Sequence, residues 1–161
     1  MAEETDTQAR ASGITLVRAG ALSTDTAQTA GMPRAVAISD ETSEAKNVWV
    51  GRVMGEPGMN SQPHHHGEAQ SIGFVLSGSA RLFYGEQFDS YVDLHAGDFI
   101  FIPPYLPHIE SNPHDEPVEF ITIRTPGNIV VNLADASKAD KDASDYGIGS
   151  AVEASGTRAE H

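Results

Sequence analysis

Three consecutive histidines, His64, His65 and His66, are the residues of this sequence best suited to chemistry. Residues i and i+2 of a β-strand point to the same face, so His64 and His66 would project together and His65 would point away from them. Two imidazoles on one face of a strand can bind a single metal ion. Histidine pairs at this spacing are common without any metal, so the pair alone is weak evidence.

A further histidine strengthens the hypothesis. His108 follows the proline-rich corner of GDFIFIPPYLPHIESN and begins a new predicted strand. A third imidazole from a facing strand would complete a ligand set with open positions, which metal catalysis requires. Counting in twos places Glu110 on the face of His108, unless the strand bulges after the corner and turns Glu110 to solvent. A carboxyl group among apolar walls has a raised pKa and suits general acid–base catalysis, so Glu110 is the candidate catalytic residue.

Other polar and aromatic residues have less specific interpretations. The remaining histidines are expected in solvated loops or at the end of the chain: His95, His114 and His161. Polar residues of the predicted strands would either line a cavity or face water: Arg52, Arg81, Tyr84 and Arg124. Aromatic residues of the same strands are expected to form the walls of the core: Trp49, Phe74, Phe99 and Phe101.

Short apolar runs rich in Val, Ile, Phe and Tyr must position these side chains. The runs are ITLV, AVAI, NVWVGRVM, SIGFVLSG, ARLFYG, YVDL, DFIFIP, HIESN, VEFITIRT and NIVVNL. Turn-forming residues separate them at intervals of about eight to twelve residues, which is typical of a β-sandwich or barrel. No segment sustains a helical period, so the predicted fold class is all-β.

Several of these runs are apolar on both faces, as two stacked sheets or a dimer interface would require. In the run that begins at Ile72, the side chains of Ile72, Phe74 and Leu76 share one face. We therefore expect a homodimer, with the N-terminal runs ITLV and AVAI packing or exchanging across a two-fold axis.

Composition narrows the possible partners. The 161 residues carry a formal net charge of −13 and form no basic cluster, which argues against nucleic acid and anionic membranes as partners. Cysteine is absent, which excludes disulfides, a thiolate nucleophile and Cys-ligated metal sites. The acidic start MAEETDTQAR predicts no signal peptide, and no apolar run approaches the roughly 20 residues that span a bilayer. We expect a cytoplasmic protein that binds a small-molecule substrate.

The predicted domain occupies residues 13–133. Residues 1–12 are polar and acidic and predict a disordered N-terminal tail. Residues 134–161, rich in Ala, Ser, Asp and Gly, predict a flexible C-terminal tail.

The two histidine segments together resemble the two sequence motifs of the cupin superfamily. The first motif, a glycine followed by His-x-His and a strand that ends in glycine, falls on Gly58, His64, His66 and Gly78. The second, Gly-x5-Pro-x-Gly-x2-His-x3-Asn, falls on Gly97, Pro103, His108 and Asn112. The resemblance implies a cupin β-barrel, that is, a jelly-roll or double-stranded β-helix, that binds a divalent metal ion through the three histidines.

Two positions depart from these motifs. The first motif usually carries Glu after a spacer of three or four residues from its second histidine, where this sequence has Gln70 and Ser71. Glu68 is too close to His66 to chelate without distortion, so Gln70 is the candidate fourth ligand, or else a hydrogen-bonding group beside a three-histidine site. Tyr105 replaces the glycine of the second motif and could place a phenol near the mouth of the pocket.

A site made of three imidazoles and one amide would leave the charge of the metal uncompensated. Such an ion is a stronger Lewis acid and attracts an anionic oxygen. Imidazole-rich sites suit Zn, Ni, Fe, Cu or Co, so the ligands do not identify the metal.

The resemblance implies three kinds of function. The preferred hypothesis is a metal-dependent enzyme that cyclises or isomerises a small enolisable or aromatic metabolite, because short cupins similar to polyketide cyclases also lack an anionic ligand. A metal-dependent dioxygenase that uses O2 is the second. A non-catalytic cupin that binds metal or ligand is the third, since the fold does not determine the activity.

Overall fold

Twelve β-strands dominate the part of the chain that a computed structural model describes, residues 9–11 and 13–133. The strands are β1 (Ala9–Ala11), β2 (Ile14–Leu16), β3 (Arg34–Ile38), β4 (Trp49–Gly55), β5 (His64–His65), β6 (Gln70–Ser77), β7 (Ser79–Tyr84), β8 (Ser90–His95), β9 (Phe99–Ile102), β10 (His108–Ser111), β11 (Val118–Thr125) and β12 (Val131–Asn132). Two short helices accompany them, a 3-10 helix at Ala19–Ala21 and α1 at Asp40–Ser43. The predicted all-β class is confirmed.

Two antiparallel sheets of five strands form the barrel. The first sheet has the order β12-β5-β10-β7-β8 and the second has the order β3-β4-β11-β6-β9. A separate pair joins β1 to β2. The main core lies between the two large sheets, with Leu82 and Leu94 from the first sheet and Val53, Val75 and Phe120 from the second. Of the predicted metal ligands, His64 and His108 lie on the first sheet, His66 follows β5 directly, and Gln70 begins β6 of the second sheet.

Strand β11 is central to the second sheet, since it pairs with β4 on one side and β6 on the other. Its side chains alternate, so that Phe120, Thr122 and Arg124 are buried and the residues between them are half-buried on the outer face. This alternation turns the charged side chain of Arg124 into the barrel.

The turn from β6 to β7 requires glycine. Gly78 has a φ of 76°, in the left-handed region that other residues rarely adopt. A Cβ atom at this position would lie 2.3 Å from the carbonyl oxygen of Pro117. The last residue of the first sequence motif therefore has a structural role.

The prediction that the aromatic residues form the walls of the core is only partly correct. Trp49 is buried and its ring lies against Gly51, where a Cβ atom would be 2.3 Å from the ring. Phe99 and Phe101 are instead 73% and 56% exposed, on the outer face of the edge strand β9. Both faces of β9 are apolar, so the sequence pattern did not show which face is buried.

Most of the predicted tails lies outside the described residues. Within the predicted N-terminal tail, residues 9–11 form β1 and pair with β2. The run ITLV contributes β2 and the run AVAI contributes most of β3, and both pair within the chain. None of the described helices has the length and apolar character needed to cross a membrane.

Candidate metal centre

The pairing of β5 with β10 brings two distant histidines together. His108 is the direct partner of His64 in this antiparallel pair, and the centroids of the two rings are 4.4 Å apart. His66 follows β5 by one residue, with its ring centroid 4.9 Å from that of His64 and 5.0 Å from that of His108. All three side chains are buried in the barrel, as the sequence pattern predicted.

Backbone carbonyls fix the orientation of all three imidazoles. Each Nδ1 lies at hydrogen-bond distance from a carbonyl oxygen, at 2.8 Å for His64 and Gln62, 2.8 Å for His66 and Ile129, and 2.9 Å for His108 and Leu106. A carbonyl oxygen only accepts, so each Nδ1 carries the proton and each Nε2 keeps a lone pair. A hydrogen bond of this kind is typical of metal-binding histidines because it sets the tautomer and the ring direction.

Glu110 completes the cluster. It lies two residues after His108 on β10, so the alternation of the strand turns its carboxylate to the same face. One carboxylate oxygen is 3.4 Å from Nε2 of His64 and the other is 3.7 Å from Nε2 of His108. One ligand atom from each of the four residues lies within 4.8 Å of the other three. The inward orientation of Glu110 is therefore the one that the structure shows.

Burial and neighbouring charges shift the pKa values of these groups. Burial lowers the pKa of His64 to about 3 and that of His66 to about 2, so both imidazoles are neutral at pH 7. Burial alone would raise the pKa of Glu110, but the adjacent His64, His108 and Arg34 lower it well below its usual range. The raised pKa expected for Glu110 is thus wrong, because the sequence did not show the cationic and imidazole groups around it.

These residues fit a divalent metal ion. Three imidazole nitrogens and one carboxylate are donors that Mn, Fe, Co, Ni, Cu and Zn all accept. Nε2 of His108 and Oε2 of Glu110 are buried and have no hydrogen-bond partner in the described part of the chain. Buried polar atoms without partners are rare in proteins, and a bound ion would satisfy both of them.

The predicted fourth ligand, Gln70, is not part of this cluster. Gln70 is exposed at the start of β6, whereas its neighbour Ser71 is buried and accepts a hydrogen bond from Nε of Arg124 at 3.0 Å. Strand alternation places one of these two residues inside, and the register with β11 selects Ser71. Glu110 supplies the fourth donor of the cluster in place of the expected amide, so the candidate ligand set includes an anionic group and is not neutral as predicted.

Two buried arginines flank the histidines. Nη2 of Arg34, from β3, is 3.4 Å from Nε2 of His64, and Nη2 of Arg124, from β11, is 3.1 Å from Nε2 of His66. Burial lowers the pKa of Arg124 to about 9, and the positive charge of Arg34 contributes to this shift. Arg124 is therefore cationic at neutral pH and lies close enough to Arg34 to feel its positive charge.

Arg34 is the residue of the site that sequence reasoning missed. It begins a strand that precedes the first histidine by 30 residues, outside both motifs. The only signal was a basic residue at the start of an apolar run in an acidic chain. Arg124 was one of four polar strand residues with two possible orientations, and the structure selects the inward one.

The other candidates lie away from the cluster. Arg52 pairs with Glu119, and Arg81 pairs with Asp93 at 2.7 Å. Tyr105 is 64% exposed and adopts a φ of 61°, which explains why glycine is usual at this position of the motif. Exposed or outward-facing histidines, as expected, are His65, His95 and His114, and His161 lies outside the described residues.

Asn112, the last residue of the second motif, has a structural role. Its side-chain amide donates hydrogen bonds to the carbonyl oxygens of Gly55 and Glu116, at 3.1 and 2.8 Å. Its Oδ1 accepts from the backbone N–H of His114 at 3.1 Å. The fully buried Asn112 thus closes the loop that follows β10.

The interior of the barrel beside the cluster contains a small cavity of about 30 Å³. Its polar lining residues are Ser71, Arg81, Glu110, Thr122 and Arg124. The remaining wall is largely apolar, with Val53, Leu82, Leu94, Ile100, Ile102 and Phe120. A second cavity of about 250 Å³ shares four of these apolar residues (Leu82, Leu94, Ile100 and Ile102) and lies on the side of β8 and β9.

Comparisons with known proteins agree with this architecture. Residues 51–124 match the Cupin_2 family, described as a cupin domain. Oxalate decarboxylase from Bacillus subtilis, solved at pH 4.6, has a similar structure with a TM-score of 0.56 and 24% sequence identity over 66% of this chain. This chain spans 28% of that protein, so the likeness concerns the fold of one domain. No curated protein matches the sequence.

A structure that matches nearly over its full length comes from Klebsiella pneumoniae. It is an uncharacterized conserved protein with a double-stranded β-helix domain, similar to this chain with a TM-score of 0.55 and 24% identity over 68% of this chain and 91% of that one. The fold and the inward histidines together define a double-stranded β-helix with a candidate metal site. The cupin-domain match and these similar structures support the resemblance of the chain to the cupin superfamily.

Proposed function

We propose that this cupin is a metal-dependent enzyme that enolises a small metabolite and thereby isomerises or cyclises it. The observation that carries the proposal is the convergence of three Nε2 lone pairs and one carboxylate inside the barrel, with every Nδ1 held by a backbone carbonyl. A divalent ion held by His64, His66, His108 and Glu110 would supply Lewis acidity toward a carbonyl oxygen.

The residues of the chain supply the remaining functions. Glu110 is ionised, so a carboxylate oxygen that is not engaged by the metal could accept the proton from the carbon next to the substrate carbonyl. The electron pair of that C–H bond then forms a C=C bond with the carbonyl carbon, and the π pair of the carbonyl moves to its oxygen, which gives an enolate. Arg34 and Arg124 place two positive charges beside this developing negative charge.

The apolar walls serve the same chemistry by excluding water. Leu82, Ile102 and Phe120 are buried and line the interior cavity together with Glu110 and Arg124. Charges interact more strongly in such a site than in water, so the enolate gains more from the guanidiniums there.

Hydrogen–deuterium exchange tests the proposal without knowledge of the product. The metal-loaded protein is incubated in D2O with a panel of small oxo acids and ketones, and the loss of the α-proton signal is followed by NMR. We expect exchange above the buffer background for at least one compound, and its loss in His108→Ala. The matched control His95→Ala changes an exposed histidine and should exchange as the wild type does.

Two outcomes would overturn this proposal in favour of the other hypotheses. Substrate-dependent consumption of O2 by the metal-loaded protein would indicate a dioxygenase, which open positions around the four ligands also permit. A protein that holds no stoichiometric metal and is unchanged by His108→Ala would indicate a non-catalytic cupin. Mn²⁺ belongs in the panel of metals to be tested, since oxalate decarboxylase from Bacillus subtilis contains Mn(II) centers.

A further inference from the structure

In the part of the chain that the structure describes, Arg34 and Arg124 are buried cations without a carboxylate within ion-pair distance. Arg34 is 1% exposed and Arg124 is 2% exposed. No ion pair within 4.0 Å joins either guanidinium to an acidic side chain in residues 9–11 and 13–133. An isolated buried charge is costly, and proteins generally pair it with an opposite charge. The site therefore has an unmet requirement for negative charge.

The N–H donors of Arg34 have weaker hydrogen bonds than those of Arg124. Its Nε is buried and has no hydrogen-bond partner among the described residues. Nη1 reaches the carbonyl oxygen of Met32 only at 3.5 Å, and Nη2 is 3.4 Å from His64. These are long contacts for a group whose charge-assisted hydrogen bonds are normally about 2.7–2.9 Å. The guanidinium thus keeps donors that a ligand could use.

Arg124 is held more firmly and from a different direction. Its Nε donates to Ser71 at 3.0 Å and its Nη1 donates to Asn128 at 2.5 Å. The Trp49 ring lies 5.5 Å from the guanidinium carbon. These contacts fix the plane of the guanidinium, and its Nη2 points to His66 in the cluster. A guanidinium fixed in this way is suited to oriented recognition of a planar anion.

Counting the charges around the cluster indicates the sign of the missing group. In the described part of the chain, two guanidiniums and one carboxylate, that of Glu110, lie against the histidines, so cationic groups outnumber anionic ones, and a divalent metal would add to this excess. A water molecule cannot compensate this charge, whereas an anion can. The apolar walls and the small volume of the interior cavity, about 30 Å³, favour a compact anion over a polyphosphate or a sugar acid.

We propose that Arg34 and Arg124 together bind the carboxylate group of a small organic acid, which is the substrate class of this site. Calling this acid the substrate rests on the proposed function. The binding of the acid needs only the two arginines. The planar carboxylate matches the forked donors of guanidinium. Arg124 lines the interior cavity, so the rest of the acid lies against the apolar wall that includes Leu82, Ile102 and Phe120. Arg34 does not line this cavity and approaches the carboxylate from the side of His64.

Calorimetric titration of the full-length, metal-free protein tests this binding. The probes are acetate and phenylacetate, each with its neutral amide as control, in a buffer without carboxylate or phosphate. We expect at least one of the two acids to bind saturably and its amide not to bind. Binding of acetate alone would mean that the interior cavity limits the size of the ligand. Binding of phenylacetate would mean that the neighbouring cavity of about 250 Å³ is also reached.

Variants identify the residues responsible. Arg34→Gln and Arg124→Gln should each weaken binding of the acid by roughly tenfold or more, since each removes charge-assisted hydrogen bonds. Arg52→Gln is the matched control, because Arg52 pairs with Glu119 and has no contact with the cluster, and it should bind as the wild type does. Binding of neither acid, equal binding of an amide, or unchanged binding in both Gln variants would overturn the inference.

A Gln variant could fail to bind the acid because it does not fold, so a stability measurement provides a second test. Arg34→Met removes an unpaired buried cation and keeps a long apolar side chain, so the metal-free protein should melt at a higher temperature. A lower melting temperature would show that Arg34 is a structural cation and not a ligand-binding one. Metal content is measured separately, so that the loss of metal binding and the loss of acid binding are distinguished.

Discussion

His108 lies directly opposite His64 across the antiparallel pair of β5 and β10, 44 residues apart in sequence, and their ring centroids are 4.4 Å apart. The pairing places the two imidazoles on the inner face of one sheet. It also turns Glu110, two residues further along β10, toward the same point. The candidate metal centre is therefore a consequence of strand register, and register changes should disrupt it more than changes on the barrel surface.

The identity of the fourth ligand gives a direct prediction. Glu110→Gln should weaken binding of a divalent metal by at least roughly tenfold, because it removes the anionic donor of the cluster. Gln70→Ala should leave metal affinity unchanged, because Gln70 is exposed on the other face of β6. Competition with a chromophoric chelator measures both affinities. A loss of affinity in Gln70→Ala with none in Glu110→Gln would return the amide to the ligand set.

Stability of the metal-free protein should fall in mild acid. His64 and His66 have folded-state pKa values of about 3 and about 2, below the value of about 6.5 in an unfolded chain. Between these limits the unfolded state binds protons that the folded state does not, so stability is complete above pH 6.5 and decreases as the pH falls. Each histidine contributes a loss of roughly 1 kcal/mol per pH unit in this range. The lowered pKa of Glu110 acts in the same direction below pH 4.5.

Thermal melts from pH 8 to pH 4.5 in the presence of a chelator measure this effect. His66→Gln should reduce the slope below pH 6.5, because one of the two titrating groups is removed. His114→Gln, which changes an exposed histidine, should reproduce the slope of the wild type. A melting temperature that is constant down to pH 5 would contradict the burial of neutral imidazoles.

The exposed apolar face of the second sheet predicts self-association. Ile72, Leu76, Phe99 and Phe101 are 41–73% exposed on the neighbouring strands β6 and β9. A fully exposed side chain of this size has about 200 Å² of surface, and these four are on average about half exposed, so together they present roughly 400 Å² of apolar surface. This is about half of the surface that each partner of a stable dimer buries. We expect a second copy of this chain to cover this face. The net charge of −13 makes copies repel each other, so contact between them is favoured at this uncharged face.

Light scattering after gel filtration tests this homodimer. Phe99→Glu should convert it to a monomer, because the substitution places a charge at the centre of the contact. Ile14→Glu changes an equally exposed residue of β2, which is 74% exposed, and should remain dimeric. Dissociation of Ile14→Glu alone would mean that the N-terminal strands form the interface, as the sequence interpretation expected. A monomeric wild-type protein would exclude both versions.

Strand alternation and the two motifs were enough to predict the all-β fold and the convergence of the three histidines inside the barrel. His64 and His66 share a face at any register, and a third histidine after a proline corner is specific when it accompanies that pair. The exclusion of Gln70 from the candidate ligands could not be predicted, since it depends on whether Gln70 or Ser71 faces inward on β6. That choice is made by the register with β11, to which the local sequence gives no access.

Two further features depended on contacts between distant segments. Arg34 reaches the site only because β3 pairs with β4 at the edge of the second sheet, and nothing in its own sequence neighbourhood indicates a buried arginine. Phe99 and Phe101 alternate with Ile100 and Ile102, so either face of β9 could have packed on the core. The structure shows that the isoleucines face inward. Patterns of hydrophobicity decide a face only when the other face is polar.

Metal stoichiometry of the purified protein tests the central claim most directly. The protein is stripped with a chelator, reloaded with Mn²⁺, Co²⁺ or Zn²⁺, passed through a desalting column and assayed by mass spectrometry of the elements, next to His108→Ala. We predict close to one ion per chain for the wild type and far less for His108→Ala, with an unchanged circular dichroism spectrum. Equal metal content in the two proteins, or none in either, would contradict a metal centre formed by His64, His66, His108 and Glu110.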